Sequence, residues 1–431
     1  MTATEPRPGA PAGLSDDGVV EDTGERRRAL TVASLCFLAG LATLVLFGLT
    51  ATSGQTSTLI LNPRGTDTLP DLELPTQLTS FVLGFAAIAI GVRALRVPNP
   101  RIARYFGGAL GLFALALVVW AARDGTGAFY GLVSGSLQRA TPIARGAIAG
   151  LLCERTGVIN IAIEGMMLAS AFAAAITASA AGNLWVGVLC GLLVGALFGL
   201  VHGVVSIRFE VDQIVGGTFI NIFALGMTSY LTARVLVEYA DLNQPGTFRP
   251  FEIPLLSDIP FVGPLLFAQD VFGYLMFVLV FFLAWALFNT RWGLRVRSVG
   301  EHPRAADTVG IRVRFIRYRN VVLGGVVAGL AGAWFVLGSA GRFDENMTNG
   351  KGFIALAAMI FGRWHPVGAF IAALVFGFSE QLNDYLALLD TPIPSEFLLM
   401  APYVVTIVVV AGLVGRPRVP AANGQVYRSG G

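Results

Sequence analysis

Asn160 and Glu164 place an amide and a carboxylate four residues apart in Arg155-Thr-Gly-Val-Ile-Asn-Ile-Ala-Ile-Glu164-Gly-Met-Met-Leu-Ala-Ser-Ala-Phe172, at the head of a stretch otherwise apolar enough to cross a bilayer. Ionisable groups at membrane depth are costly and mark pathways or sites. On a helix beginning near Val158 that spacing sets both side chains on one face. Gly157, just ahead, suits a break that frees backbone groups at membrane depth. Three roles are open to Glu164: a structural one, in which it pairs with Arg155 or caps a neighbouring helix; contact with a solute; and gating. Asn221, within Gly216-Gly-Thr-Phe-Ile-Asn-Ile-Phe-Ala-Leu-Gly226, is a second amide at mid-span. It can bridge helices or read a ligand's polar edge. Glu380, Gln381 and Asn383 close an apolar run and are expected at a solvated rim.

Two further segments carry chemistry in their order. Gly350-Lys-Gly-Phe-Ile-Ala-Leu-Ala-Ala-Met-Ile-Phe-Gly362, followed by Arg-Trp-His-Pro366, joins two short apolar pieces across Gly362 and Pro366. Pro366 resists continuation of a helix from its N-terminal side, and paired short helices suit a gate or a cavity wall. A phosphate loop is excluded there, because Gly352 stands at the Ser/Thr position and no glycine lies five residues before Gly350. The loop 291–318 holds Gly300, Glu301, Pro303, Ala305, Ala306 and Gly310. Pro303 fits the first position of a short helix and Gly310 its stop. A short surface helix with a small-residue face is built to dock a partner; a purely lipid-facing basic loop has no need of that order.

The elements that must position these residues are membrane spans. The chain is 55% hydrophobic and only 13% charged, with apolar runs recurring from residue 30 to residue 415. The expected class is an all-α polytopic membrane protein with about ten to twelve transmembrane helices and broken or re-entrant pieces. Candidate spans are 30–52, 74–95, 104–122, 127–152, 157–178, 184–207, 213–236, 271–290, 319–339, 351–363, 365–385 and 398–415, of which 351–363 is too short to cross alone. Arginines fill the loops at 93–104 and 291–319 and follow the last span at Arg416 and Arg418, whereas 237–270 is acidic apart from Arg249. The positive-inside rule then puts both termini in the cytoplasm.

Residues 1–29 are polar and too poor in apolar side chains to order themselves; the span after Arg26-Arg27-Arg28 reads as an uncleaved anchor. An accessory three-helix block is expected over 30–122, a working core over 127–415, and a cytoplasmic tail over 416–431. Gly187, Gly191, Gly195, Gly199 and Gly203 recur every fourth residue, as do Gly325 with Gly329 and Gly146 with Gly150. These ladders point to close helix packing. Cys36, Cys153 and Cys190 read as small apolar fillers, and the scattered His202, His302 and His365 exclude a haem or di-metal centre. No catalytic or metal-binding cluster and no nucleic-acid surface is expected.

The run Thr141-Pro-Ile-Ala-Arg-Gly-Ala-Ile-Ala-Gly-Leu-Leu-Cys-Glu-Arg-Thr-Gly-Val-Ile-Asn-Ile-Ala-Ile-Glu-Gly-Met-Met-Leu168 resembles the permease subunits of ABC importers, within the branched-chain amino acid, ribose and nucleoside superfamily. Glu154-Arg155-x-Gly157-Val158-x-Asn160, followed by Glu164-Gly165-Met166-Met167, is close to the wording of the nucleoside branch. Arg297 to Ile311 resembles the family's cytoplasmic coupling segment, with His302 where the family commonly has Asn. Gly352-Phe353 through Pro366 resembles its late Gly-Phe segment. The resemblance implies a type II importer-like permease that forms a translocation path for nucleosides, with Asn160, Glu164, Asn221 and Phe353 on the path or gate. It implies coupling through Gly300, Glu301, Pro303, Ala305, Ala306 and Gly310 to an ATP-binding subunit that holds ATP and Mg, no cofactor on this chain itself, a second permease subunit, and an extracytoplasmic lipoprotein-type binding protein. The location implied is a bacterial cell membrane. An ion-coupled secondary transporter, or a permease for sugars or branched-chain amino acids, is the alternative.

Overall fold

The computed structural model describes residues 17–63, 65–97, 100–389, 391, 400 and 419–428. The expected last span, 398–415, falls outside the described residues apart from Met400, as do residues 1–16. The chain divides into two units, Met1–Leu59 with Leu72–Gly127, and Ile60–Asp71 with Ala128–Gly431. Residues 60–71, expected inside the first block, thus belong with the second unit.

In the first unit, α1 (Asp17–Thr43), α2 (Thr76–Leu95) and α3 (Ile102–Ala121) surround Val32, Cys36, Ala87, Ala94 and Ala109. α1 starts inside the stretch expected to lack order. Once an apolar helix is nucleated, each added residue gains a hydrogen bond, so the helix runs back into its polar prelude. A Cβ on Gly40 would lie 2.9 Å from the Gly84 carbonyl oxygen, so α1 and α2 meet backbone to backbone. Between the helices, β1 (Thr56–Leu59) pairs antiparallel with β2 (Leu72–Pro75) and parallel with β3 (Gly125–Gly127).

Among its described residues, the regular elements of the second unit are helices and a short ladder of β4 (Phe251–Glu252) with β5 (Ala268–Gln269). Its helices are α4 (Phe129–Glu154), α5 (Ile163–Ala181), α6 (Leu184–Gly203), α7 (Gln213–Leu231), α8 (Val262–Phe267), α9 (Val271–Asn289), α10 (Arg291–Glu301), α11 (Pro303–Thr308), α12 (Val313–Trp334), α13 (Lys351–Phe361) and α14 (Pro366–Leu388). Among the described residues of both units, eight helices are long and apolar enough to span a membrane. α4 and α14, of 26 and 23 residues, have the length as well but carry charges. The protein is an all-α polytopic membrane protein.

The glycine ladder of α6 lies against α12 and α5. A Cβ on Gly195 would overlap the Gly325 carbonyl, one on Gly199 would stand 2.9 Å from Val321 O, and one on Gly187 would stand 2.6 Å from Ala178 Cβ. Bare backbone surfaces meet there, which gains dispersion where no hydrophobic effect separates helix from lipid. α14 runs antiparallel to α4, since Gly377 meets Ser136 and Ala140 while Gly135 meets Gln381. α13 runs parallel to α4, with Ala355 at Gly146 and Met359 at Gly150. α13 and α14 therefore form a hairpin on α4 that turns at Gly362–His365.

Candidate functional site

α5 starts at Ile163, later than the expected Val158, because Gly157 takes φ +86° and turns the chain at the end of α4. Asn160 lies in that turn and not on the helix, so the expected shared face with Glu164 does not form. Its Oδ1 accepts from the Ala162 N–H at 3.1 Å, and its Nδ2 sits 3.3 Å from Cys153 Sγ in a fully buried setting. An Asn that bonds two residues onward offers the backbone an alternative to helix. His202 Nε2 reaches Ile159 O at 2.8 Å and Gln213 Oε1 accepts from the Ile159 N–H at 2.7 Å, so α6 and α7 hold the same turn. Asn221 bridges helices: it accepts from the Gly165 N–H at 2.8 Å and donates to Ile161 O at 2.9 Å.

Glu164 caps a neighbouring helix and does not pair with Arg155. Its Oε1 accepts from Thr348 Oγ1 at 2.6 Å and from the Gly350 N–H at 2.8 Å, and its Oε2 accepts from the Gly352 N–H at 2.6 Å. Glu164 thus caps the N-terminus of α13 from another helix, where free N–H groups and the helix dipole favour a carboxylate. Only glycine fits at 352, since a Cβ there would come 2.6 Å from the Glu164 Cα. α13 has 11 residues, so it spans about 16 Å, roughly half of a ~30 Å hydrocarbon core. The loop 341–350 that precedes it has positive φ at Gly341, Asn346, Asn349 and Gly350. Phe353, in the first turn of α13, is 49% exposed.

Charges continue from the start of α13 along α14. Lys351 Nζ lies 2.6 Å from Glu380 Oε2, Arg139 Nη1 is 3.8 Å from the same oxygen, Arg139 Nε donates to Gln381 Oε1 at 2.8 Å, and Arg139 also pairs with Asp384. Glu380 therefore belongs to the start of α13 and not to a solvated rim: its side chain is 14% exposed. Pairing removes most of the cost of placing these charges near lipid.

At the opposite end of α13, the turn to α14 is tied to the end of α4. Trp364 Nε1 donates to Glu154 Oε2 at 2.7 Å, and Arg155 donates to Trp364 O from Nε at 2.8 Å and from Nη2 at 2.6 Å. Arg155 and Arg297 both lie over the Phe288 ring, at 5.6 and 5.2 Å. Gly300 packs so closely on the Arg155 carbonyl that a Cβ would overlap it. The described tail residues 419–428 close this end. Ala422 N–H donates to Gly300 O at 2.8 Å, Gly424 N–H to Gly157 O at 3.1 Å, Asn423 Nδ2 to Glu154 Oε2 at 3.0 Å and Arg317 Nη1 to Gln425 O at 2.8 Å. Arg428 pairs with Glu210 at 2.7 Å, and this hydrogen bond holds the Glu210 carboxyl below its ordinary range.

The segment expected to dock a partner folds as α10 and α11. Pro303 is the first residue of α11, and Gly310, at φ +81°, stops it. Ala306 is 4% exposed and sits in the chain's own core, and Gly300 is buried as well, so neither is part of the exposed face of this segment. The free face carries Glu301, Ala305 and Gly310, with Val309 74% exposed. Val309 lies within the Arg297–Ile311 segment and Glu154 opens the Glu154-Arg155-x-Gly157 motif, but no spacing in the sequence names Val309 as the exposed contact or Trp364 as the partner of Glu154. Arg145, fully buried on α4 and donating to Phe272 O, carried a usable signal: a charge inside an apolar run.

Residues 132–410 match the family described as "Branched-chain amino acid transport system / permease component". The guanosine ABC transporter permease protein NupQ of Bacillus subtilis is 39% identical over 308 residues, covering 69% of this chain and 97% of that protein. The nucleoside ABC transporter permease protein NupC of Lactococcus lactis is 39% identical over 305 residues, 69% of this chain and 96% of that one. A putative glucose ABC transporter permease, TsgC13 of Haloferax volcanii, is 30% identical over 253 residues, 59% and 77% of the two chains. No solved structure matches. Spans, broken helix and sequence agree: the chain belongs to this permease family of ABC transport systems, as a transport subunit and not an enzyme.

Proposed function

We propose that this chain is one permease half of an ATP-driven importer of nucleosides in a bacterial cell membrane, with both termini in the cytoplasm. The observation that carries the cargo is 39% identity, over nearly the full length of each relative, to permeases named for guanosine and for nucleosides. The arginine-rich loops 93–104 and 291–319 support the orientation. On this reading α10 and α11 seat on an ATP-binding subunit through the face around Ala305 and Val309. ATP and Mg stay on that partner. A second permease subunit completes the path, and a lipoprotein-type binding protein delivers cargo to the acidic loop 237–270.

The coupling route follows the packing. Displacement of the end of α10 at Gly300 presses on the Arg155 carbonyl. Arg155 and Glu154 hold Trp364, Trp364 closes the turn after α13, and α13 rests by its other end on Glu164. A packed chain of this kind moves as a unit between discrete arrangements. A secondary transporter would need Glu164 as its titrating group, and both oxygens of that carboxylate are already engaged as a helix cap.

The test is uptake competition with a panel of purine and pyrimidine nucleosides, glucose and leucine in the reconstituted complex. Nucleosides should compete for ATP-driven uptake and the other two should not. Competition by glucose or leucine alone would move the chain to another branch of the family.

A further inference from the structure

We propose that a cavity of about 980 Å³ among the first turns of α4, the last turns of α14 and the segment 60–71 binds an uncharged, hydroxyl-rich heterocycle of nucleoside type and discriminates against its phosphorylated form. This rests on the nucleoside-importer reading, under which that end of α4 faces the outside. The volume falls within the ~300–1,000 Å³ usual for small-molecule sites.

Its wall is built rather than incidental. Asn62 staples the segment by donating to Leu69 O at 2.6 Å and accepting from the Leu69 N–H at 2.9 Å and from Thr68 Oγ1 at 3.0 Å. The Tyr130 N–H donates to Ile60 O at 3.1 Å and ties that wall to the start of α4. The segment 60–71 precedes residue 132, where the family match begins, so this wall lies outside the matched region.

The lining defines the ligand. Tyr385 is 5% exposed, borders the cavity, and its hydroxyl has no hydrogen-bond partner among the described residues. Buried hydroxyls are ordinarily satisfied, so this one is available to a bound solute. Asp67 and Asp71 offer carboxylate acceptors that suit the paired hydroxyls of a ribose, while Gln138 and Gln381 offer amides for the edge of a base. Of the three lining carboxylates, Asp384 is neutralised by Arg139. Across the segment 60–71, Asp67 and Asp71 outnumber its one cation, Arg64, and the remaining negative charge disfavours a phosphate.

Equilibrium binding of labelled uridine and adenosine to the full complex in nanodiscs, with the binding protein omitted, tests the assignment. The expected result is saturable binding, with the 5′-monophosphates weaker by about 10-fold or more. Tyr385→Phe should weaken nucleoside binding about 5- to 10-fold, the effect of one lost hydrogen bond. The Asp67→Asn, Asp71→Asn double variant should bring the monophosphates close to the nucleosides. No saturable binding, or both variants behaving as wild type, overturns the site. ATP-driven uptake with the binding protein present separates the two claims: uptake without this binding removes the site and leaves the importer, and binding without uptake does the reverse.

Discussion

Glu164→Gln isolates what the carboxylate does. The variant keeps the shape of the side chain and one oxygen able to accept from Thr348 and Gly350, but its amide group then faces the Gly352 N–H as donor against donor. An unsatisfied buried N–H costs about 1–3 kcal/mol. Loss of the negative charge at a partly buried helix N-terminus adds about 0.3–2 kcal/mol. Together these give roughly 1–5 kcal/mol against the closed start of α13. At about 1.4 kcal/mol per decade, local opening should rise roughly 10- to 4,000-fold. Hydrogen exchange read by mass spectrometry on the complex in nanodiscs, over residues 346–361, measures this directly, with α6 as internal reference. Faster exchange confined to 346–361, with uptake reduced, is the expected outcome. Unchanged exchange there, or an equal rise in α6, would show that Glu164 does not hold α13 and would refute the capping argument.

Other perturbations probe the opposite end of the same hairpin. Val309→Asp, on the exposed face after α11, should weaken association with the ATP-binding subunit while leaving the thermal midpoint of the isolated permease unchanged. Ala306→Asp, by contrast, buries an unpaired charge in the core and should lower that midpoint or block folding; a normal midpoint would contradict its placement. Trp364→Phe removes the donor to Glu154 but keeps an aromatic, if smaller, side chain, and should cost about 1–3 kcal/mol while lowering the ratio of uptake to ATP hydrolysed. Deleting residues 419–431 strips partners from Gly300, Gly157, Glu154 and Arg317; a lowered midpoint and uncoupled ATP hydrolysis are expected, and unaltered values for both would make the tail a bystander.

The spans, the glycine ladders and the start and stop of α11 were legible because each is a local pattern: apolar length, a four-residue period, Pro303 and Gly310. What the sequence left open depends on partners distant in the chain. Glu164 is capped onto residues 348–352, about 186 residues away at Gly350, and no local pattern names that partner. The apolar neighbours of Asn160 and its spacing from Glu164 point to a helix; the positive φ at Gly157 and a side chain bonded to Ala162 decide otherwise. Ala306 looked like part of a docking face because it is small, yet smallness serves equally to pack α11 on its own bundle. The place of Glu380 at the end of an apolar run points to a solvated rim, and the ion pair with Lys351 is a contact that no local pattern names.

The central claim is that this permease forms a nucleoside path opened by ATP hydrolysis on a partner, through the contact of α10 with the hairpin of α13 and α14. The most direct measurement is nucleoside uptake into proteoliposomes holding the complete complex, with proton and sodium gradients collapsed and ATP supplied or withheld. Accumulation that requires ATP and persists without either gradient is the predicted result. Accumulation driven by a gradient in the absence of ATP would contradict the account.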